Sequence, residues 1–173
     1  MDLEGLTQDL RDLGEAGFRQ KHSSPVLVFD GDRDADDAAS FHTAFAKRDP
    51  SRPLSAPPPP ARAPHRPEVF TVLKRPGGPF EDRIGLGRAR NADVHLPLAR
   101  LSKYHAYVTT SADGAAYLIA DAGSKNGTYV DGVRLPTREP VPLRDGCEIQ
   151  LGPYVFQFYT SRGLVDLVAR RAR

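Results

Sequence analysis

Cysteine is almost absent: Cys147 is the only one in 173 residues. That excludes an internal disulfide framework and any multi-cysteine metal site. Cys147 precedes Glu148, Ile149, Gln150 and Leu151, a stretch of strand character, so a buried, inert thiol is expected. No apolar run approaches membrane-spanning length, and the acidic N-terminus lacks the apolar stretch of a secretory signal. A cytoplasmic protein with no membrane partner is therefore expected. Charge is not gathered into runs either. The net charge of +2 conceals an uneven distribution, with eleven acids and six bases in residues 1–50 and eleven acids and eighteen bases in residues 51–173. A basic body suits an anionic partner, but its charges are dispersed, so no nucleic-acid role is expected. The remaining composition, 39% hydrophobic and 27% charged, is that of a globular protein, with 16 prolines as its one oddity.

Leu3, Leu6, Leu10, Leu13 and Phe18 recur at helical spacing among acidic residues. The pattern predicts an amphipathic helix over about 2–20. Its apolar stripe has two uses open to it, docking on its own domain or meeting a partner. Val26–Phe29 is a short apolar run ending in Asp30-Gly31-Asp32. An aspartate pair after a strand is similar to the nucleophile motif of haloacid-dehalogenase-type phosphatases. That chemistry needs a parallel sheet to supply further loops, and about 30 residues before the prolines leave no room for the crossovers. Arg33 and Asp34 also stand where that motif carries Thr. A calcium loop fails too, since Ala35 and Phe41 occupy the places of its Gly and Glu. A second short helix over about 36–47 completes an acidic head, residues 1–46. Residues 47–67 then hold eight prolines, including Pro57 to Pro60, and predict an extended linker. At roughly 3.1 Å per residue it would span some 60 Å. Within it Pro50 and Pro53 form a PxxP, read as part of the spacer.

From residue 68 to 160 the sequence breaks into short apolar runs separated by Gly, Pro and Asp-Gly. Tyr154, Phe156 and Phe158 alternate with Val155, Gln157 and Tyr159, and Asp113-Gly114 and Asp131-Gly132 are hairpin signals. The expected fold is mainly β, an antiparallel sandwich with an N-terminal helical segment. A short C-terminal helix is expected over residues 161–173, with Arg170, Arg171 and Arg173 complementing its dipole.

Three polar loops interrupt the strands: Gly87-Arg88, then Ser102-Lys103-Tyr104-His105, then Lys125-Asn126-Gly127-Thr128. A rigid sheet presenting an arginine, a hydroxyl and an amide from separate loops can hold a phosphate on a peptide. Gly85-Leu86-Gly87 is not a dinucleotide fingerprint, because Arg90 replaces the third glycine and no helix follows. The ordered set Gly-Arg, Ser-x-x-His and Asn-Gly-Thr resembles the forkhead-associated (FHA) domain, over about residues 68–160. The resemblance implies a phosphothreonine-peptide reader acting as a signalling adaptor, with no catalysis, cofactor or metal. It implies that Arg88 clamps the phosphate, that Ser102 gives it a hydroxyl, and that Lys103 and Lys125 reach toward it. Asn126 would grip the peptide backbone, and Arg100 would tolerate an acid three places after the phosphothreonine. Gly87, His105, Gly127 and Thr128 would support the loops, and preference for threonine over serine would follow as a family property. Asp131 stands where the family often has Asn, and Lys125 where it often has a small hydroxyl. The implied partners are phosphothreonine proteins of a Ser/Thr kinase pathway, with self-recognition of a phosphorylated Thr7 as a further possibility. Two rivals remain, a scaffold acting through the head helix and a phosphatase using Asp30 and Asp32.

Overall fold

The last strand shows how the sandwich is made. Along Tyr154–Tyr159, Tyr154, Phe156 and Phe158 are buried while Val155 and Gln157 face outward, the two-residue period of a sheet with one face in a core. The computed structural model describes residues 2–31, 67–78 and 80–171. In chain order these form α1 (Leu3–Lys21), β1 (Val26–Phe29), β2 (Glu68–Thr71), β3 (Ile84–Gly87), β4 (Val94–His95), β5 (Ala106–Thr110) and β6 (Tyr117–Asp121). They continue with β7 (Thr128–Val130), β8 (Val133–Arg134), β9 (Val141–Pro142), β10 (Glu148–Leu151), β11 (Tyr154–Tyr159) and α2 (Ser161–Arg171). One sheet runs β2-β1-β11-β10-β7-β8 and the other β4-β3-β5-β6-β9, with every pairing between named strands antiparallel except β3 with β4. Leu27, Phe29, Ile149, Leu151, Phe156 and Phe158 from the first sheet meet Leu86, Val94, Val108 and Ile119 from the second. Cys147 is buried beside them, and burial pushes its thiol pKa up. The mainly β sandwich with one helix at each end is the fold expected from the sequence.

One tight turn follows directly from its residues. Asp131 (φ 47°) and Gly132 (φ 80°) join β7 to β8 with both central residues left-handed, as the commonest two-residue hairpin requires. Asp131 also serves as an acceptor, taking the Glu148 amide at 2.9 Å and Arg144 at 2.8 Å.

The acidic head needs correction. β1 is not apart from the sandwich but an interior strand of its first sheet, antiparallel to β11 and to β2. All four of its residues are buried: Leu27 and Phe29 lie in the inter-sheet core, and Val26 and Val28 lie under the helices. An apolar run without alternation is what a strand covered on both faces requires. Phe29 pairs with Glu68, so residues 30–67 leave and re-enter the sheet at neighbouring positions. The connection is an excursion between adjacent strands, not a tether holding a head at a distance. The expected second helix, the PxxP and the polyproline run lie outside the described residues.

α1 is capped by Asp2, whose carboxylate accepts the Gly5 amide at 2.8 Å. It kinks at Gly14, where φ is +65° and any side chain would be strained. The kink corrects the single apolar stripe: Leu3, Leu6 and Phe18 are buried, but Leu13 is 46% exposed. The stripe packs on Leu164, Val165 and Val168 of α2 and on Val26, Val28 and Val69 of the sheet, so of its two uses the chain employs the internal one. Thr7 sits within α1, its hydroxyl donating to the Leu3 carbonyl at 2.8 Å.

Candidate functional site

Gly87 ends β3 where the chain must pass very close to a neighbouring loop. A Cβ there would lie 2.2 Å from the Lys103 carbonyl oxygen and 3.0 Å from that of Ser102, both backbone atoms. With no side chain in the way, Arg88 N–H donates to Ser102 O at 3.0 Å and Ala89 N–H to Lys103 O at 3.0 Å. These bonds fix Arg88 beside Ser102. The Arg88 side chain is exposed, and its Nε donates to the Leu101 carbonyl at 3.2 Å. Both terminal nitrogens of the fork remain available to an anion.

Ser102 is held from two sides. Its N–H donates to His105 Nδ1 at 3.2 Å, and its Oγ accepts the Lys125 N–H at 3.1 Å. An Oγ that accepts from the backbone still has its own proton to give, directed by the loop that Lys125 belongs to. His105 is fully buried. Because Nδ1 accepts from Ser102, the ring proton resides on Nε2, which donates to the Gly127 carbonyl at 2.9 Å. That carbonyl also accepts the Gly152 amide at 2.9 Å. One neutral imidazole thus ties the Ser102 loop to the Asn126-Gly127 loop. Asn126 Nδ2 donates to the Arg100 carbonyl at 2.9 Å, and the Arg100 amide donates to the Tyr154 hydroxyl at 3.3 Å. Lys103 and Lys125 are exposed next to these groups. Gly127 takes φ +84°. Thr128 is buried, its hydroxyl donating to Asp121 at 2.7 Å.

The residues read from the sequence therefore converge on one end of the sandwich. What sequence reasoning missed is the pair of buried carboxylates beneath them. Asp121 accepts the Gly123 and Ser124 amides (2.8 and 3.0 Å), the Ser124 hydroxyl (2.6 Å) and the Thr128 hydroxyl. The Ser124 hydroxyl then accepts the Gly127 amide at 2.9 Å. Burial would raise the Asp121 pKa, but these four donors hold it below the ordinary carboxylate value. Asp93, also buried, accepts the Gly85 and Arg75 amides and Lys74 Nζ, which anchors the start of β3; its pKa too is lowered against the push of burial. Asp121-Ala122-Gly123-Ser124 carries the signal of an aspartate that caps amides two and three residues onward.

Burial lowers the His105 pKa, outweighing the Gly127 bond and the nearby Asp121, which act the other way. The folded protein thus binds fewer protons than the unfolded chain just below the ordinary imidazole value of about 6.5. The His105 contribution to stability is complete above that pH and is lost as pH falls; Asp121 and Asp93 add a second loss below about 3.8. The melting temperature is expected to be level from pH 8 to 7 and to fall as the pH drops below about 6.5. NMR titration of the His105 ring checks the cause, and a ring pKa at or above 6.5 would contradict it.

The arrangement offers an anion a guanidinium fork, a hydroxyl and two ammonium groups, with the one buried carboxylate of the loop, Asp121, already committed to donors. A sandwich presenting such donors from three loops has the chemistry to hold an anionic group. Residues 84–152, from the first residue of β3 to the turn after β10, match the FHA domain family model. They take in every site loop, and the sandwich carries an FHA domain there. β1, β2 and β11 lie outside the match and complete its first sheet. Over 84 residues the chain is 33% identical to mouse (Mus musculus) angiogenic factor with G patch and FHA domains 1, covering 45% of this chain and 12% of that protein. Over 78 residues it is 35% identical to the glycogen accumulation regulator GarA of Mycolicibacterium smegmatis, covering 43% of this chain and 44% of the relative. The chain thus spans less than half the length of either. Among solved structures, Mycobacterium tuberculosis EmbR in complex with a low-affinity phosphopeptide is similar at 30% identity and a TM-score of 0.41, over 46% of this chain and 20% of that one.

Proposed function

We propose that this protein is a phosphothreonine-peptide reader that acts as an adaptor in a Ser/Thr kinase pathway of the cytoplasm, by recognition and not by catalysis. The observation that carries the reading is the coupling of Arg88 and Ser102. The fork and the hydroxyl are fixed side by side by backbone bonds, each with donors to spare, and His105 ties them to Asn126. A phosphothreonine brings about −1.5 to −2 charges and strong acceptor oxygens at neutral pH. Charge-assisted bonds to it contribute roughly 1.5–3 kcal/mol each, and an unmodified threonine supplies no anion for Arg88. Asn126, Lys103, Lys125 and Arg100 flank the pair, where they can hold the peptide backbone and neighbouring acids.

Two rival readings have less support. β1, which Asp30 follows, lies between antiparallel neighbours, whereas dehalogenase-type chemistry places its aspartate at the end of a strand in a parallel sheet. The apolar stripe of α1 is spent on α2 and the sheet, which disfavours a scaffold working through that helix. Capture of Thr7 by its own chain would require the first turns of α1 to unwind, so a ligand on another protein is favoured. The test is calorimetric titration of the whole chain with a degenerate phosphothreonine peptide pool beside its unphosphorylated counterpart. Micromolar binding of the first alone is expected, and equal binding of both overturns the reading.

A further inference from the structure

Beside the Asn126 loop is a cleft of about 380 Å³ lined by Ser124, Gly127, Arg134, Leu135 and Thr137, with Asp121 among its walls. It lies on the flank of that loop away from Arg88. Asp121, where the loop begins, pairs with Ala106 of β5 on one side and bridges to Thr137 on the other. The Arg88–Ser102 pair belongs to the β5 side, through His105. The cleft belongs to the β8 side, where the Leu135 amide bonds to the Thr128 carbonyl at 2.8 Å.

Arg134 is exposed on the short strand β8 and covers Gly127: a Cβ on that glycine would lie 3.1 Å from Arg134 Nε and 3.4 Å from Nη2. Its guanidinium has no hydrogen-bond or ion-pair partner among the described residues. Asp121, the acid lining the cleft, does not compete for it, because both its oxygens are taken by the Gly123, Ser124 and Thr128 donors. An arginine without a counter-ion, held at a polar cleft one loop away from a phosphate receptor, is placed to receive a second anion. Leu135 and Pro136 complete the lining of the cleft beside it.

We propose that this cleft is an accessory subsite in which Arg134 binds an anionic side-chain group, a carboxylate or a second phosphoryl, of the same peptide. The proposal rests on the phosphothreonine reading. A peptide anchored on Arg88 and Ser102 and crossing Asn126 runs toward Gly127 and the cleft, so acid at one peptide position selects for tighter binding. Arg134 is then a specificity residue: it contributes nothing to a peptide that lacks the acid.

The test uses the whole chain and a polyalanine-based phosphothreonine peptide in which a single glutamate, or a single phosphoserine, is walked through every position. One position is expected to gain about five- to tenfold in affinity in the wild type. Arg134→Gln is expected to lose that gain while keeping its affinity for the all-alanine peptide, and Arg134→Lys to keep part of it. A larger gain from phosphoserine than from glutamate identifies a second phosphoryl as the preferred occupant, and equal gains a carboxylate. A wild type without an acid preference, or a preference that survives Arg134→Gln, overturns the proposal alone. Failure of every peptide to bind, in the wild type as in Arg88→Ala, overturns the phosphothreonine reading and the subsite with it.

Discussion

Replacing Arg88 with alanine is expected to weaken phosphothreonine-peptide binding by about two orders of magnitude, the equivalent of one or two charge-assisted bonds. The same protein is expected to melt within a few degrees of the wild type. The side chain is exposed, and its one intramolecular bond runs from Nε to the Leu101 carbonyl, a solvent-accessible interaction worth about 1 kcal/mol or less. The backbone bonds joining residues 88 and 89 to residues 102 and 103 persist in the variant, so the loops keep their places. Arg88→Lys separates charge from geometry. A lysine restores the charge but not the planar fork, so partial recovery is expected, short of wild type. Calorimetry and a thermal melt on the same samples check both halves. A melt lowered as far as the affinity is would mean that Arg88 shapes the fold and not the ligand.

Removing residues 1–31 is expected to unfold the sandwich. The deletion takes β1 from the middle of the first sheet, which leaves β2 without its partner and β11 with an open edge. It also withdraws Leu27 and Phe29 from the inter-sheet core and uncovers Val69, Leu164 and Val168. Four buried strand side chains at roughly 1.5–3 kcal/mol each come to about the whole stability of an ordinary domain, 5–15 kcal/mol. By contrast, replacing residues 33–65 with a short Gly-Ser turn is expected to leave the melt unchanged or to raise it slightly. The ends of that connection are already neighbours in the sheet, and shortening a loop reduces the entropy lost on closing it. Circular dichroism melts of the two variants decide the matter. A folded protein without residues 1–31 would show that the strand and helix are dispensable.

Legibility in the sequence followed the range of the physics involved. The alternation of Tyr154, Phe156 and Phe158 is a local signal, and β11 could be placed from it alone. The site loops were legible because their chemistry needs particular residues in a particular order: a glycine where backbones nearly touch, an arginine beside it, a serine with a histidine three residues on, and Asn-Gly-Thr. β1 was not legible. Val26–Phe29 lacks alternation because both its faces are covered, and its partner β2 begins at residue 68, beyond a proline-rich stretch that suggests separation. Gly14 could mark a kink only once the helix had a surface to bend over. Asp121 looked like an ordinary loop acid: three of its four donors are local, on Gly123 and Ser124, but its burial and the Thr128 hydroxyl come only with the folded sandwich. Arg134 was overlooked for a similar reason: it acquires a role only when the β7–β8 hairpin brings it over Gly127.

The most direct measurement is the phosphothreonine-pool titration followed residue by residue through backbone amide shifts of the whole chain. The largest saturable shifts are expected at Arg88, Ser102, Lys103, Lys125 and Asn126, with α1 and α2 unmoved and no response to the unphosphorylated pool. Shifts centred on α1 and α2, or the same shifts without the phosphate, would contradict the assignment of these loops as the peptide reader.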